Sequence, residues 1–350
     1  MGNVTGEEVS NAQLAEFLAR RAEDAHPPLT RAFRRAARRA FLWPDEALSL
    51  QQHGRSLTEL QGIGPYLEKQ IGTWLKESAS PPSPPALRSG FLTFTQAQAI
   101  LKSHPEWMAG LKGDLQMHTL WSDGSASIAE MAAAATELDY EYIAITDHAK
   151  GLKIAGGIDE GQLREQGAEI AAVNQSLETA NQKLRVLRSI ELNLNPDGQG
   201  DMEPEALAKL DIVIGCFHSA LRRKDDQTER YLRALHNPTI QILGHPRGRI
   251  YNYRAGLSAD WVRVFTLAAE LDKAVEIDAY PDRQDLSPDL LPLARDDNRE
   301  TQRRHEHHHE QKQEQNRRRV VHAEPARHGV QDFPFHRQDQ QRQRREYPEK

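Results

Sequence analysis

A chain of 350 residues has room for a core of roughly 200–250 residues and a smaller module beside it. Its net charge of −6 excludes a protein wrapped in basic surface but leaves space for a local basic patch. One cysteine, Cys216, excludes an internal disulfide and fits a reducing cytoplasm, and no apolar run approaches the ~18 residues of a membrane span.

Residues 1–77 read as a small all-α module. "NAQLAEFLARRAEDA" is amphipathic, and in "LTRAFRRAARRAF" two faces separate. Phe33, Ala36, Ala37, Ala40 and Phe41 fall at helical spacing, whereas Arg31, Arg34, Arg35, Arg38 and Arg39 repeat that spacing on the opposite side. One face packs, and the other is a basic stripe suited to a phosphate backbone. "SLTELQGIGPYLEKQIGTWL" predicts a helix, a turn at Gly62, Ile63 and Gly64, and a second helix whose free N–H groups suit a phosphate. Arg31, Arg35 and Arg38, with that turn, are the candidate DNA-binding residues.

"SASPPSPPALRSG" is rich in Pro and Ser, so residues 78–110 are expected to be a linker and a connecting helix. From 111 to 298 the texture changes to apolar β-type runs, "YIAITDH", "LRVLRSIEL", "DIVIGCFH", "TIQILGHP" and "AVEIDAY". Helical stretches near 127–139, 160–182, 226–236, 258–272 and 288–295 separate them. Alternating β and α units with buried strands predict a parallel sheet or a barrel. Residues 299–350 are almost entirely Arg, Gln, His and Glu, too polar to bury a core, and are expected to be disordered. A shifted reading frame through GC-rich coding sequence, or another aberration of the C-terminus, is the expected origin of this composition. Its cluster of His305, His307, His308 and His309 has the character of a chelating tract without fixed ligand geometry.

Chemistry concentrates at the strand ends. Of eight histidines before residue 299, four (His118, His148, His218 and His245) close an apolar β run. Asp123 follows the first run, Asp147 adjoins His148, and Glu191 ends the third. In a parallel barrel these ends converge on one face, so imidazoles and carboxylates distant in sequence meet there. Such a set can bind two or three divalent ions, and a pair of ions about 3.5–4 Å apart can activate water and stabilise the leaving oxygen of a phosphoester. Asp278 in "EIDAY" reads equally as a supporting group or a plain strand-end residue. Lys150, Arg222, Arg223, Arg247 and Arg249 follow the same strand ends, and Lys150 and Arg249 are the preferred ligands of non-bridging phosphate oxygens.

"GDLQMHTLWSDG", "AITDHAKGLKIAGG", "IELN", "CFHSAL" and "GHPRGR" together resemble successive motifs of the PHP (polymerase and histidinol phosphatase) domain, most of all the version attached to bacterial family X DNA polymerases. The resemblance spans about 110–297 and implies an α/β fold: a distorted (β/α)7 barrel preceded by a small all-α helix-hairpin-helix domain. It implies a site for up to three ions of Mn2+, Zn2+ or Fe and hydrolysis of phosphoesters. The metal positions it carries over are Gln116 (often His in the family), His118, Asp123, His148, Glu191, His218 and His245. The candidate catalytic residues are Asp123, His148, Lys150 and Arg249. The polymerase palm and its paired aspartates are missing, so the resemblance does not extend to nucleotide polymerisation. The family's closing strand and its Asp-x-His motif also have no counterpart here, so the barrel is expected to be incomplete at its last strand.

The expected function is therefore metal-dependent phosphoester hydrolysis at DNA ends, as a 3′–5′ exonuclease or 3′-phosphatase acting in DNA repair or processing, with DNA ends or gaps as the partner and no membrane. Two alternatives are hydrolysis of small phosphomonoesters of the histidinol-phosphate type, and a catalytically impaired DNA-binding remnant.

Overall fold

The computed structural model describes residues 9–77 and 83–295, together with 322 and 323. Apart from those last two, the tail 299–350 and its histidine cluster lie outside the described residues. The chain divides into two compact units, one formed by residues up to 108 with 249–255 and 280–284, the other by the remainder.

The first unit is helical. Ser10 opens α1 (Asn11–Asp24) with a capping box, its hydroxyl accepting from the Gln13 N–H while the Gln13 side chain accepts from the Ser10 N–H. In α2 (Leu29–Arg39) Phe33, Ala36 and Ala37 are buried against α1. Arg31, Arg34 and Arg35 are exposed on the opposite side, as the two-faced pattern requires. Arg38 and Arg39 depart from that stripe: Arg38 bonds the carboxylate of Asp282, and Arg39 is buried. After α3 (Ala47–Gln52) the expected first helix of the hairpin shrinks to one 3-10 turn, Leu57–Glu59. The reason is local. Ser56 caps that turn, and Glu68 of α4 (Pro65–Glu77) accepts from the Leu57 N–H at 2.7 Å, so the short turn is held from the next helix. Gly62 takes a φ of 88°, and Ile63 is buried beside it. Residues 83–108 belong to this same unit; Arg88 is buried and bonds Glu16 at 2.7 Å. Thr93 caps α5 (Phe94–Ser103), and α6 (Pro105–Gly110) follows.

The second unit is a parallel α/β fold. Strands β1 (Gly113–Met117), β2 (Tyr142–Ile145) and β3 (Arg185–Arg188) pair in that order, and β4 (Glu191–Asn193), β5 (Ile214–Cys216), β6 (Ile242–Leu243) and β7 (Ala274–Val275) pair in theirs. The run expected as one strand, "LRVLRSIEL", is broken at Ser189 and Ile190. Its first half pairs β2 and its second half pairs β5, and a parallel bridge between His148 and Glu191 joins the two sheets. A further strand, β8 (Ile277–Asp278), pairs parallel with β9 (His322–Ala323), which lies beside β1. β8 and β9 form a two-stranded sheet of their own, separate from the two larger sheets.

Helices α7 (Ile128–Glu137), α8 (Glu160–Thr179), α9 (Pro204–Leu207), α10 (Thr228–His236) and α11 (Trp261–Glu270) alternate with the strands. Each longer helix buries one stripe. Ile128, Ala132 and Ala135 do so in α7, and Trp261, Val264, Phe265 and Ala268 in α11, at the three- and four-residue spacing of a helix face. Ile143, Ala144 and Ile145 of β2 are all fully buried, which is why that strand reads as a continuous apolar run.

Candidate metal centre

The strand ends of the second unit bring five of the expected ligands into one cluster. His118 follows β1, His148 follows β2, Glu191 opens β4, His218 follows β5 and His245 follows β6. Glu191 is the hub. Its Oε1 lies 2.7 Å from His218 Nε2 and 2.9 Å from His245 Nε2, while its Oε2 lies 3.2 Å from His118 Nε2 and 3.5 Å from His148 Nδ1. Each carboxylate oxygen therefore faces its own pair of imidazoles. Two groups of atoms that could hold an ion result, His118 with His148 and Glu191, and Glu191 with His218 and His245.

Asp123 adjoins the first group, 3.6 Å from His148 Nε2 and 4.0 Å from His118 Nδ1. The turn after it explains how a residue five positions past His118 returns to it. A side chain at Gly124 would place its Cβ 2.2 Å from the His118 carbonyl oxygen, so only glycine permits the loop to fold this tightly. Asp147 fastens the same loop, accepting from the Thr119 N–H at 2.7 Å, the Thr119 hydroxyl at 2.7 Å and the Ser122 hydroxyl at 2.5 Å. Gln116 donates from Nε2 to Glu191 Oε2 at 2.7 Å.

The electrostatics suit a cation. Burial of Glu191 opposes ionisation, but the charge of His148 and the hydrogen bonds of His118 and His218 outweigh it and hold the carboxyl well below its usual range. Burial lowers the basicity of His218 against the pull of Glu191, which favours a neutral imidazole with a lone pair to give. Gln116 Oε1 and His118 Nδ1 are buried without a hydrogen-bond partner in the protein. An ion binding between these nitrogen and oxygen donors would satisfy such atoms, and the mixed imidazole and carboxylate set fits Zn2+ or Mn2+.

The basic candidates fare differently. Lys150 Nζ pairs with Glu160 at 2.6 Å, and its side chain remains 39 % exposed. Arg249 corrects the expectation of a phosphate ligand. It is 5 % exposed, stacks its guanidinium 3.8 Å from the Phe91 ring centre, and donates to the carbonyls of Ser89 and Gly90 at 3.1 Å each. Arg247 is likewise turned inward, donating to Ser287 Oγ at 2.6 Å, and Arg223 pairs with Asp225 at 2.7 Å.

Two residues outside the expected set contact these histidines. Asn193 Oδ1 lies 2.6 Å from His218 Nδ1, and Glu276 accepts from the His245 backbone N–H. Burial and the nearby charge of Asp278 push the Glu276 carboxyl up to about 8. The signal was two-residue spacing: "ELN" sets Glu191 and Asn193 on one face of β4, and "EID" repeats the spacing for Glu276, between β7 and β8, and Asp278.

Residues 114–282 match the PHP domain family. The DNA polymerase/3′-5′ exonuclease PolX of Bacillus subtilis is 40 % identical over 177 residues, 50 % of this chain and 30 % of that protein. A probable phosphatase of Thermoanaerobacter sp. is 30 % identical over 47 % of this chain and 63 % of its own length. Another, from Caldanaerobacter subterraneus, is 31 % identical over 47 % and 61 %. The chain thus spans less than two thirds of the length of these relatives. A solved histidinol phosphate phosphatase from Lactococcus lactis, complexed with zinc, L-histidinol and phosphate, is 16 % identical over 53 % of this chain and 81 % of its own, with a TM-score of 0.35. Residues 114–282, with their parallel strands and strand-end histidines, form a PHP domain.

Proposed function

We propose that the protein is a divalent-metal-dependent phosphoesterase acting on DNA ends, by removing a 3′-terminal nucleotide or a 3′-phosphate. The observation that carries the reading is the placement of Glu191 between two pairs of imidazoles, one pair on each oxygen. In this reading His118, His148, Asp123 and Glu191 hold one ion and Glu191, His218 and His245 a second, with Gln116 a weak neutral donor beside the first. Bound ions would supply Lewis-acid activation of water and of the phosphoryl oxygens. The remaining work falls to the chain. Asp123, on the His118 and His148 side of the cluster, would accept a proton from an attacking water. Lys150, whose side chain is 39 % exposed, would meet a non-bridging oxygen by exchanging its Glu160 partner.

Support for DNA as substrate comes from the exposed Arg31, Arg34 and Arg35 and from the tight turn at Gly62, Ile63 and Gly64, both suited to phosphate. The 40 % identity to a polymerase-linked 3′-5′ exonuclease points the same way. A second reading, small phosphomonoesters, draws on the probable phosphatases at 30 and 31 % identity. Rates on a 3′-phosphorylated oligonucleotide, a 3′-hydroxyl oligonucleotide and p-nitrophenyl phosphate, each with Mn2+ and with Zn2+, separate them. Preference for either oligonucleotide supports DNA ends; preference for the small ester transfers the assignment. Hydrolysis surviving in His118→Ala would refute both.

A further inference from the structure

The amide of Asn193 sits in a network whose polarity can be worked out atom by atom. Its Nδ2 donates to the Ala149 carbonyl at 3.1 Å and to Asp201 Oδ2 at 2.7 Å. Turning the amide over would press its oxygen against two acceptors, so the orientation is fixed. The oxygen Oδ1 therefore faces His218 Nδ1, 2.6 Å away, and must be met by an N–H. Asp201 is held in turn. Its Oδ2 accepts from the Gly151 N–H at 2.6 Å, and a Cβ at Gly151 would lie 2.3 Å from that oxygen, so the approach requires glycine. The chain of contacts runs from the Gly151 backbone through Asp201 and Asn193 to the ring of His218.

We infer that Asn193, locked by Asp201 and the Ala149 carbonyl, is a positioning residue that places the proton of His218 on Nδ1 and presents Nε2 as the metal-binding nitrogen of the Glu191, His218 and His245 group. This rests on the metal-centre reading above. A ring nitrogen that donates to a neutral amide keeps its neighbour's lone pair aimed and available, and loss of such a partner typically weakens metal binding about 10–100-fold. The hydrogen bond to the locked amide also restrains the orientation of the ring.

Zn2+ titration calorimetry on the full chain tests it, together with nitrogen-15 spectra of the Zn2+-loaded imidazoles. In the wild type the His218 Nδ1 is expected to carry a proton and Nε2 the ion. Asn193→Leu, which removes the acceptor at similar volume, is expected to weaken one class of Zn2+ sites about 10–100-fold with an unchanged circular dichroism spectrum. The inference falls if Nε2 carries the proton in the wild type, or if the folded N193L variant binds Zn2+ as tightly as wild type. Absence of Zn2+ binding by the wild type itself would instead overturn the metal-centre reading, and this inference with it.

Discussion

His218 Nε2 stands 2.7 Å from Glu191 Oε1, and on the other oxygen of the same carboxylate His118 Nε2 stands at 3.2 Å. Glu191 is 1 % exposed, so no solvent answers its charge, and the imidazoles around it are its counterpart. Replacing it by glutamine keeps the volume and removes the charge that ties the two groups together. E191Q is expected to retain its fold and to lose Zn2+ affinity at both groups by at least about 100-fold, measured by calorimetry. Loss at one group alone would show that the carboxylate is not shared.

Gln116 offers the opposite experiment. Its amide already faces Glu191 at 2.7 Å, but a neutral amide is a poor ligand beside an imidazole. Q116H is expected to tighten Zn2+ binding by the His118 and His148 group about tenfold or more. Unchanged affinity would place position 116 outside the ligand sphere.

Glu276 gives the protein a pH dependence of defined sign. Its carboxyl is raised from 4.5 to about 8 by burial and by Asp278, so the folded state binds a proton that the unfolded chain releases between those values. The contribution of Glu276 is thus fully present below about pH 4.5 and is lost as pH rises toward 8. E276Q, neutral throughout and still able to accept from the His245 N–H, is expected to flatten this fall. Melting temperatures of metal-free protein across that range measure it. An identical pH slope in wild type and variant would contradict the assignment.

In the helical unit the Arg88 and Glu16 pair is the weak point. Both side chains are 5 % exposed, and Arg20 also reaches Glu16 at 2.8 Å. Removing one partner of a buried pair costs about 3–5 kcal/mol, and the Arg20 contact sets the expectation for R88M at the lower end, about 3 kcal/mol by urea denaturation. R88M with E16Q is expected to recover most of that. A cost for R88M below about 1 kcal/mol would mean that the pair is solvated as a surface pair is.

DNA binding should be a matter of salt. R31A with R35A is expected to reduce the slope of log affinity against log salt by about 1–2, since each phosphate contact contributes about 0.9. An unchanged slope would remove the stripe from the interface. Arg38, already bonded to Asp282, is expected to contribute less than either.

The strand-end ligands were legible because each closes a buried apolar run, and burial is what sequence patterning records most directly. Asn193 and Glu276 were harder to see, since their importance lies in what they touch across the sheet rather than in their own runs. Arg249 shows the limit from the other side. Its position after "GHP" suggested a phosphate, but Phe91 and the Ser89 and Gly90 carbonyls, more than 150 residues away in sequence, decide where a loop guanidinium goes. The first helix of the hairpin was over-read for a similar reason. Leu57 and Leu60 have helical spacing, but Glu68, eleven residues beyond Leu57, holds the segment as a single turn.

The central claim is that Glu191 joins two cation sites in one cluster. Elemental analysis of the purified chain after equilibration with Zn2+ and removal of the free ion tests it most directly. At least two ions per chain are expected in the wild type and fewer than one in E191Q. A single ion per chain in the wild type, or two retained in E191Q, would contradict it.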